Sequence, residues 1–206
     1  EEGQHHWLEL DNNPKADFLS EFAHAKIVYP DIAQSPQFAW DTDNNFLVNT
    51  AYMVAGVERW LLAPLNSSVM AWFYSQISPQ IQNGYFRFIA QYVEQLPIPS
   101  VSQNLKSSLS SVVDAVLATR DARFEQLING LVFELFFPDD LHRAKIRLFD
   151  ACEKAGIGKL AGLKDMALVS AASELAERIF ATSHPIYAML FDLQALDVVR
   201  IIEGRE

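Results

Sequence analysis

The stretch Ala25-Lys-Ile-Val-Tyr-Pro-Asp-Ile-Ala-Gln-Ser-Pro-Gln-Phe-Ala-Trp-Asp41 decides how the rest of the chain is read. Ile27, Val28 and Tyr29 are β-branched or aromatic, and Pro30, which has no N–H to give a ladder, ends the run. The polar residues Gln34, Ser35 and Gln37 follow, and then a second short run, Phe38-Ala-Trp40. The pattern is strand, polar loop, strand, with the loop free to read a surface.

Working outward, Trp7-Leu-Glu-Leu10 alternates like a strand, Asp11-Asn-Asn-Pro14 has the composition of a turn, and Asp17-Phe-Leu-Ser-Glu-Phe22 fits one helical turn. On the other side, Asp41-Thr-Asp-Asn-Asn45 reads as a tight hairpin turn, because Asn and Asp tolerate left-handed backbone. Phe46-Leu-Val48 and Ala51-Tyr-Met-Val54 then continue the sheet. The period changes at Glu58, and Trp60, Leu61, Leu62, Leu65, Val69, Trp72 and Phe73 place helices near 58–64 and 67–77. Asn66 or Ser67 caps the second of these. Gln80-Ile-Gln-Asn-Gly-Tyr85 is a polar, glycine-containing loop that leads into a strand at Phe86-Arg-Phe-Ile89. Pro97-Ile-Pro99 closes the unit in an extended segment.

From Ser100 the character is helical. Leu105, Leu109, Val112, Val116, Phe124, Leu127, Leu131 and Leu135 recur at three and four residues, leaving out only the position of Arg120. One helix, or two nearly collinear ones, is expected over 101–137 with a single apolar stripe. Pro138 interrupts it, Asp139 and Asp140 are placed to cap a helix at 140–155, 156–162 is a loop, and helices follow at 164–182 and 184–203.

The chain has 206 residues, half of them hydrophobic and a fifth charged, an ordinary globular composition. Its apolar runs fall short of the roughly 20 residues that a membrane span needs. It opens Glu-Glu-Gly-Gln-His-His, with no initiator Met and no signal region, and is expected to be a piece of a longer cytoplasmic protein. Cys152 is the single cysteine, in a helical pattern, so internal disulfides and thiolate metal cages are excluded and packing is its simplest role. The net charge of −10 runs against nucleic-acid binding, since residues 1–100 carry only Lys15, Lys26, Arg59 and Arg87 against eleven acidic side chains. A nucleic-acid reading would need another domain to grip the phosphates while this part reads base edges, which takes few cations.

Catalytic motifs are missing. There is no Asn-Pro-Pro-aromatic motif to hold a flipped adenine and no glycine-rich turn for a methyl donor. Pro30-Asp31 resembles the start of a nuclease site, but no acidic-x-Lys pair follows at a useful distance. Gly156-Ile-Gly158-Lys159 has Leu160 where a phosphate loop needs Ser or Thr, so an interhelical loop is expected. His24, His142 and His184 are scattered without metal-ligand spacing, and His184-Pro185 reads as a helix start. Tyr29, Trp40, Trp72, Phe73 and Phe88 are expected in the core.

Lys26-Ile-Val-Tyr-Pro30, Phe38-Ala-Trp-Asp41, Leu65-Asn-Ser67 and Leu96-Pro-Ile-Pro99, in this order and spacing, resemble the TaqI-like C-terminal specificity domain. This module is the DNA target-recognition part of adenine-specific methyltransferases and type IIG restriction–modification enzymes. Related modules open with a Trp-containing strand and are followed by a long helix. That helix carries a motif like Ile128-Asn-Gly-Leu-Val-Phe-Glu-Leu135, although Asn129-Gly130 stands here where an acidic residue is common. Patterning gives an α+β fold, with a small mixed-sheet module at 1–99, which the resemblance makes a target-recognition module, and a helical spacer and C-terminal helical extension at 100–206, of which the residues beyond about 140 lie outside the resemblance.

The resemblance also implies double-stranded DNA as partner, alongside a methyltransferase domain of the same parent chain. Neither cofactor nor catalytic residue is expected in this segment; S-adenosylmethionine, and Mg²⁺ where a nuclease is attached, belong to the parent. The DNA-contact candidates are Lys26, Gln34, Ser35, Gln37, Gln82, Asn83 and Arg87. The amides have the donor–acceptor pair that matches adenine. Lys26 and Arg87 lie in segments that match the family pattern, with a surface charge or buried ion pair as the other reading of each. A helical protein–protein interaction module, packing its apolar stripe against a partner chain without binding DNA, is the alternative function. A specificity domain that has decayed and lost its partner is a third.

Overall fold

A computed structural model describing residues 16–205 places the apolar run at Ile27 in the middle of a three-stranded antiparallel sheet. The strand expected at Trp7-Leu-Glu-Leu10 and the turn after it lie outside the described residues. A short helix, α1 (Ala16–Glu21), precedes the sheet. The central strand β1 (Lys26–Pro30) pairs with β3 (Ala39–Asp41) on one side, Lys26 facing Asp41. On the other side it pairs with β4 (Ala51–Val54), Ile27 facing Val54 and Pro30 facing Ala51.

The order β3-β1-β4 corrects the hairpin expected at 41–45. The chain between β3 and β4 crosses β1 instead of turning back on β3, and Phe46-Leu-Val48 forms no strand. The local signal was real but meant a different turn. The Asp41 carboxylate accepts the Asp43 and Asn45 backbone N–H groups at 3.1 and 3.2 Å, and Asn44 takes a left-handed φ of 57°. That wraps the chain at the strand end without adding a ladder, and the Phe46 ring stacks on Phe22 at 4.8 Å.

Pro30 ends β1 as expected, yet the chain stays extended. The Asp31 N–H donates to the Thr50 carbonyl, and β2 (Ile32–Ala33) then pairs with β5 (Phe86–Arg87) in a separate two-stranded ribbon. Only Phe86 and Arg87 of the strand expected at 86–89 are in that ladder. Asp31 is the joint between the two sheets, its carbonyl accepting from Phe88 N–H at 2.6 Å.

Two helices follow the three-stranded sheet, α2 (Leu62–Leu65) and α3 (Ser68–Ile77), with a 3-10 turn at Arg59–Leu61 before them. Ser67 caps α3, its hydroxyl accepting from Met70 N–H at 3.2 Å. Asn66 works across the chain: its side-chain oxygen accepts from Phe38 N–H and its amide donates to Phe38 O, both at 2.8 Å. This two-bond clamp fixes where the polar loop ends and β3 begins. The Leu-Asn-Ser motif is thus structural, as its capping reading had it. A short α4 (Ala90–Val93) completes the first half.

The long helical stretch is two helices, α5 (Gln103–Thr119) and α6 (Ala122–Phe136), packed against each other. The break falls on the position that the apolar period skipped: Arg120 is left-handed, with φ 55°, and Asp121 caps α6. Beyond lie α7 (Pro138–Arg143), α8 (Leu148–Ala155), α9 (Asp165–Ile179), α10 (Pro185–Leu193) and α11 (Asp197–Glu203). The single helix expected at 140–155 is divided by Lys145, which has a left-handed φ of 63°, and that at 184–203 is divided around 194–196. The segment 156–162 holds a 3-10 turn, Ile157–Leu160, entered through Gly156 at φ 78°, so it is an interhelical connection.

One apolar core runs through both halves, from Ile27, Tyr29 and Phe88 to Leu109, Val112, Leu131 and Val199. The stripe of α5 and α6 is spent here: Leu109, Val112, Phe124, Leu127 and Leu131 are all fully buried within this chain.

Candidate nucleic-acid interface

The polar surface is built on the β2–β5 ribbon. Antiparallel pairing of Ala33 with Phe86 brings the loop leaving β2 and the loop entering β5 to the same end of the ribbon. The second of these is tighter than its composition suggested. Ile81 N–H donates to Tyr85 O at 2.7 Å, Gln80 bridges Phe86, and the tip residues Asn83 and Gly84 both have positive φ, 61° and 77°. Two successive residues at positive φ are what an Asn-Gly hairpin tip supplies, and Asn83-Gly84 is the sequence signal that would have disclosed it.

The two loops are tied together. Gln34 Nε2 donates to the Asn83 carbonyl at 3.3 Å. Gln34, Ser35 and Gln37 are all exposed, as are Gln82 and Asn83. Alternation along the ribbon puts Ile32 and Arg87, a facing pair, on the outer side, while Ala33 and Phe86 turn inward. Gln37 lies beside Phe38 in a cleft shared with Asn66, Arg120 and Asn129.

Arg87 is held in one orientation. Its Nε and Nη2 donate to the two carboxylate oxygens of Asp31 at 3.3 and 2.7 Å, while half of its side chain stays exposed. The ion pair with Asp31 pushes the guanidinium pKa further above its ordinary value. The floor beneath is rigid: Tyr74 donates its hydroxyl to the Arg87 carbonyl at 2.7 Å and stacks on Phe88 with ring centres 4.2 Å apart. Asp31, weighed from sequence as the start of a nuclease site, is engaged here with Arg87.

Lys26 takes the other of its two readings. Its side chain is fully buried, with the ammonium 2.5 Å from Asp41 Oδ2 and 3.1 Å from the Phe22 carbonyl. An ammonium enclosed in this way has no face for a duplex, so Lys26 belongs to the scaffold that pins β1 to β3. Asp41 is held down to about 2 by Lys26, against the opposing effect of burial, with the Asp43 and Asn45 amides adding to the fall.

Tyr29 and Phe88 are buried and Trp40 and Phe73 half-buried, whereas Trp72 is partly exposed on α3. Burial, with the nearby Glu134 carboxylate, pushes the Cys152 thiol up to about 12, so it stays protonated and packs. Among the described residues no three His, Cys, Asp or Glu side chains are placed to hold a metal, and no helix is long and apolar enough to cross a membrane.

The ribbon thus presents exposed amides and one oriented guanidinium. Residues 4–98 match the family of the TaqI-like C-terminal specificity domain. The match spans less than half of the 206 residues, and it makes that stretch similar to the specificity domains of restriction–modification enzymes. No curated protein matches the chain.

Proposed function

We propose that this chain selects the target sequence for adenine-N6 methylation by other domains of a longer restriction–modification protein of the type IIG kind. The loops at 34–37 and 80–85 enter the major groove, where Gln34, Gln37, Gln82 and Asn83 face adenine edges, Ser35 accepts or donates, and Arg87 faces guanine. Methyl transfer from S-adenosylmethionine, and Mg²⁺-dependent cleavage where a nuclease is attached, are the work of the parent's other domains, in the cytoplasm. The observation that carries this reading is the Gln34–Asn83 tie, which joins two exposed amide-rich loops into one surface.

A good bidentate base contact discriminates by about 1–3 kcal/mol, or roughly tenfold and more. Alanine at Gln34, Gln37 and Arg87, one at a time in the parent protein, is therefore expected to relax the methylated sequence at one base position each. Sequencing of methylated adenines in a host genome reads this directly. An unchanged methylated site in all three variants refutes the residue assignment.

A further inference from the structure

The charge of the N-terminal half leaves a requirement open. Its described cations are all paired: Lys26 with Asp41, Arg59 with Asp114 and Arg87 with Asp31. A module that reads bases still needs phosphates neutralised somewhere, because that term supplies most of the affinity for a duplex.

The C-terminal helices hold the opposite arrangement. Lys145 and Arg147 in the α7–α8 connection, Lys154 on α8, and Arg178 near the end of α9 line one cleft with His184. Eight described Lys and Arg residues make no ion pair within 4.0 Å, and four of them are these. Asp150 is the one carboxylate lining the cleft, and Ala151, Ala155, Pro185 and Met189 form its apolar wall. Arg178 donates to the Ala155 carbonyl at 2.9 Å, which fixes it at the rim, and Arg147 lies 3.4 Å from His142 Nδ1. The walls of the cleft are fixed too. Glu134 accepts from Phe149 N–H at the start of α8 and from His142, both at 3.0 Å.

Four cations gathered in a concave site with a single acid, in a chain of net charge −10, repel one another unless an anion joins them. Low-dielectric walls focus that potential, and guanidinium forks match the geometry of phosphate oxygens. We propose that the cleft between α8, α9 and the start of α10 binds phosphate, and that its source is the backbone of the duplex whose bases the ribbon reads. The proposal rests on the reading of residues 4–98 as a DNA-specificity domain, and it gives the helical extension a role as the grip.

The test uses the whole chain and a random-sequence duplex, with binding measured between about 50 and 200 mM salt. Lys145→Gln combined with Lys154→Gln removes two exposed charges without touching the core. The double variant should keep the wild-type circular dichroism spectrum and lose about tenfold or more in affinity at the low-salt end. Its salt slope should be shallower by about 2, since each phosphate contact contributes roughly 0.9. Gln34→Ala, which removes no charge, should leave the slope unchanged. An unaltered slope in the double variant overturns the grip while leaving base reading by the ribbon intact. If the wild type binds no duplex, both readings fall; saturable binding of inorganic pyrophosphate, lost in the double variant, would then assign the cleft to a small phosphorylated ligand.

Discussion

At the scale of single residues, the Lys26–Asp41 pair governs whether the recognition scaffold holds its shape. Both partners are buried, and among the described residues the ammonium meets Asp41, the Phe22 carbonyl and, at 5.8 Å, the Phe22 ring. Removing one member of such a pair leaves an uncompensated charge, so Asp41→Ala is expected to cost about 3–5 kcal/mol in urea unfolding. Acid should act on the same contact. Asp41 titrates near 2 in the folded chain against an ordinary 3.8, so its folded pKa is depressed. The stabilisation is then fully present above about pH 4 and disappears as pH falls through 2. Urea midpoints taken from pH 6 downward should show this fall in the wild type and much less of it in Asp41→Asn. The pairing was not assignable from sequence, because the 14 residues between the partners say nothing of which strand lies beside which. What sequence did carry was the local half: Asp41 organises the turn after it, and Ser67 caps its helix.

At the scale of elements, α6 ties the second half of the chain to the first. Asn129 Oδ1 accepts from Ser68 N–H at 2.8 Å, so the helix of the second half completes the N-terminus of α3 in the first. A carboxylate at this position would also accept there. Gly130 is fully enclosed, and a Cβ on it would lie 2.7 Å from Leu148 Cδ1 and 2.8 Å from Leu190 Cδ2. Gly130→Ala is expected to push α8 and α10 outward and cost about 1–3 kcal/mol, measurable as a lowered thermal midpoint. Gain or no change in that midpoint would contradict the close approach. The break between α5 and α6 was half legible, since the apolar period passed over Arg120, but a skipped position does not reveal a left-handed residue. The Asn83-Gly84 tip was fully legible. The crossing at 41–51 was not, because β3 pairs with an earlier strand, and such a choice is made by long-range contacts.

At the scale of the whole molecule, recognition module and helical extension share one interior. Trp60, Leu62 and Leu65 of the first half bury themselves in the same cluster as Leu109, Val113 and Leu131 of the second. A chain ending at residue 99 would expose this face, and is expected to lack a cooperative urea transition, while the full chain unfolds in one step at coincident fluorescence and circular dichroism midpoints. Two separate transitions in the full chain would show that the halves fold independently.

The ribbon carries a last implication for how new specificities arise. Clamps at Phe38, Asp41 and Tyr74 hold the platform from below, whereas Gln34, Ser35, Gln82 and Asn83 support no part of the interior. Side chains at Gln34, Ser35 and Gln82 can be exchanged with little effect on the interior, whereas Asn83, at φ 61°, is restricted to residues that accept left-handed backbone. On the reading proposed above, one frame can host a repertoire of tip sequences, each diverting the parent's chemistry to another site on the chromosome.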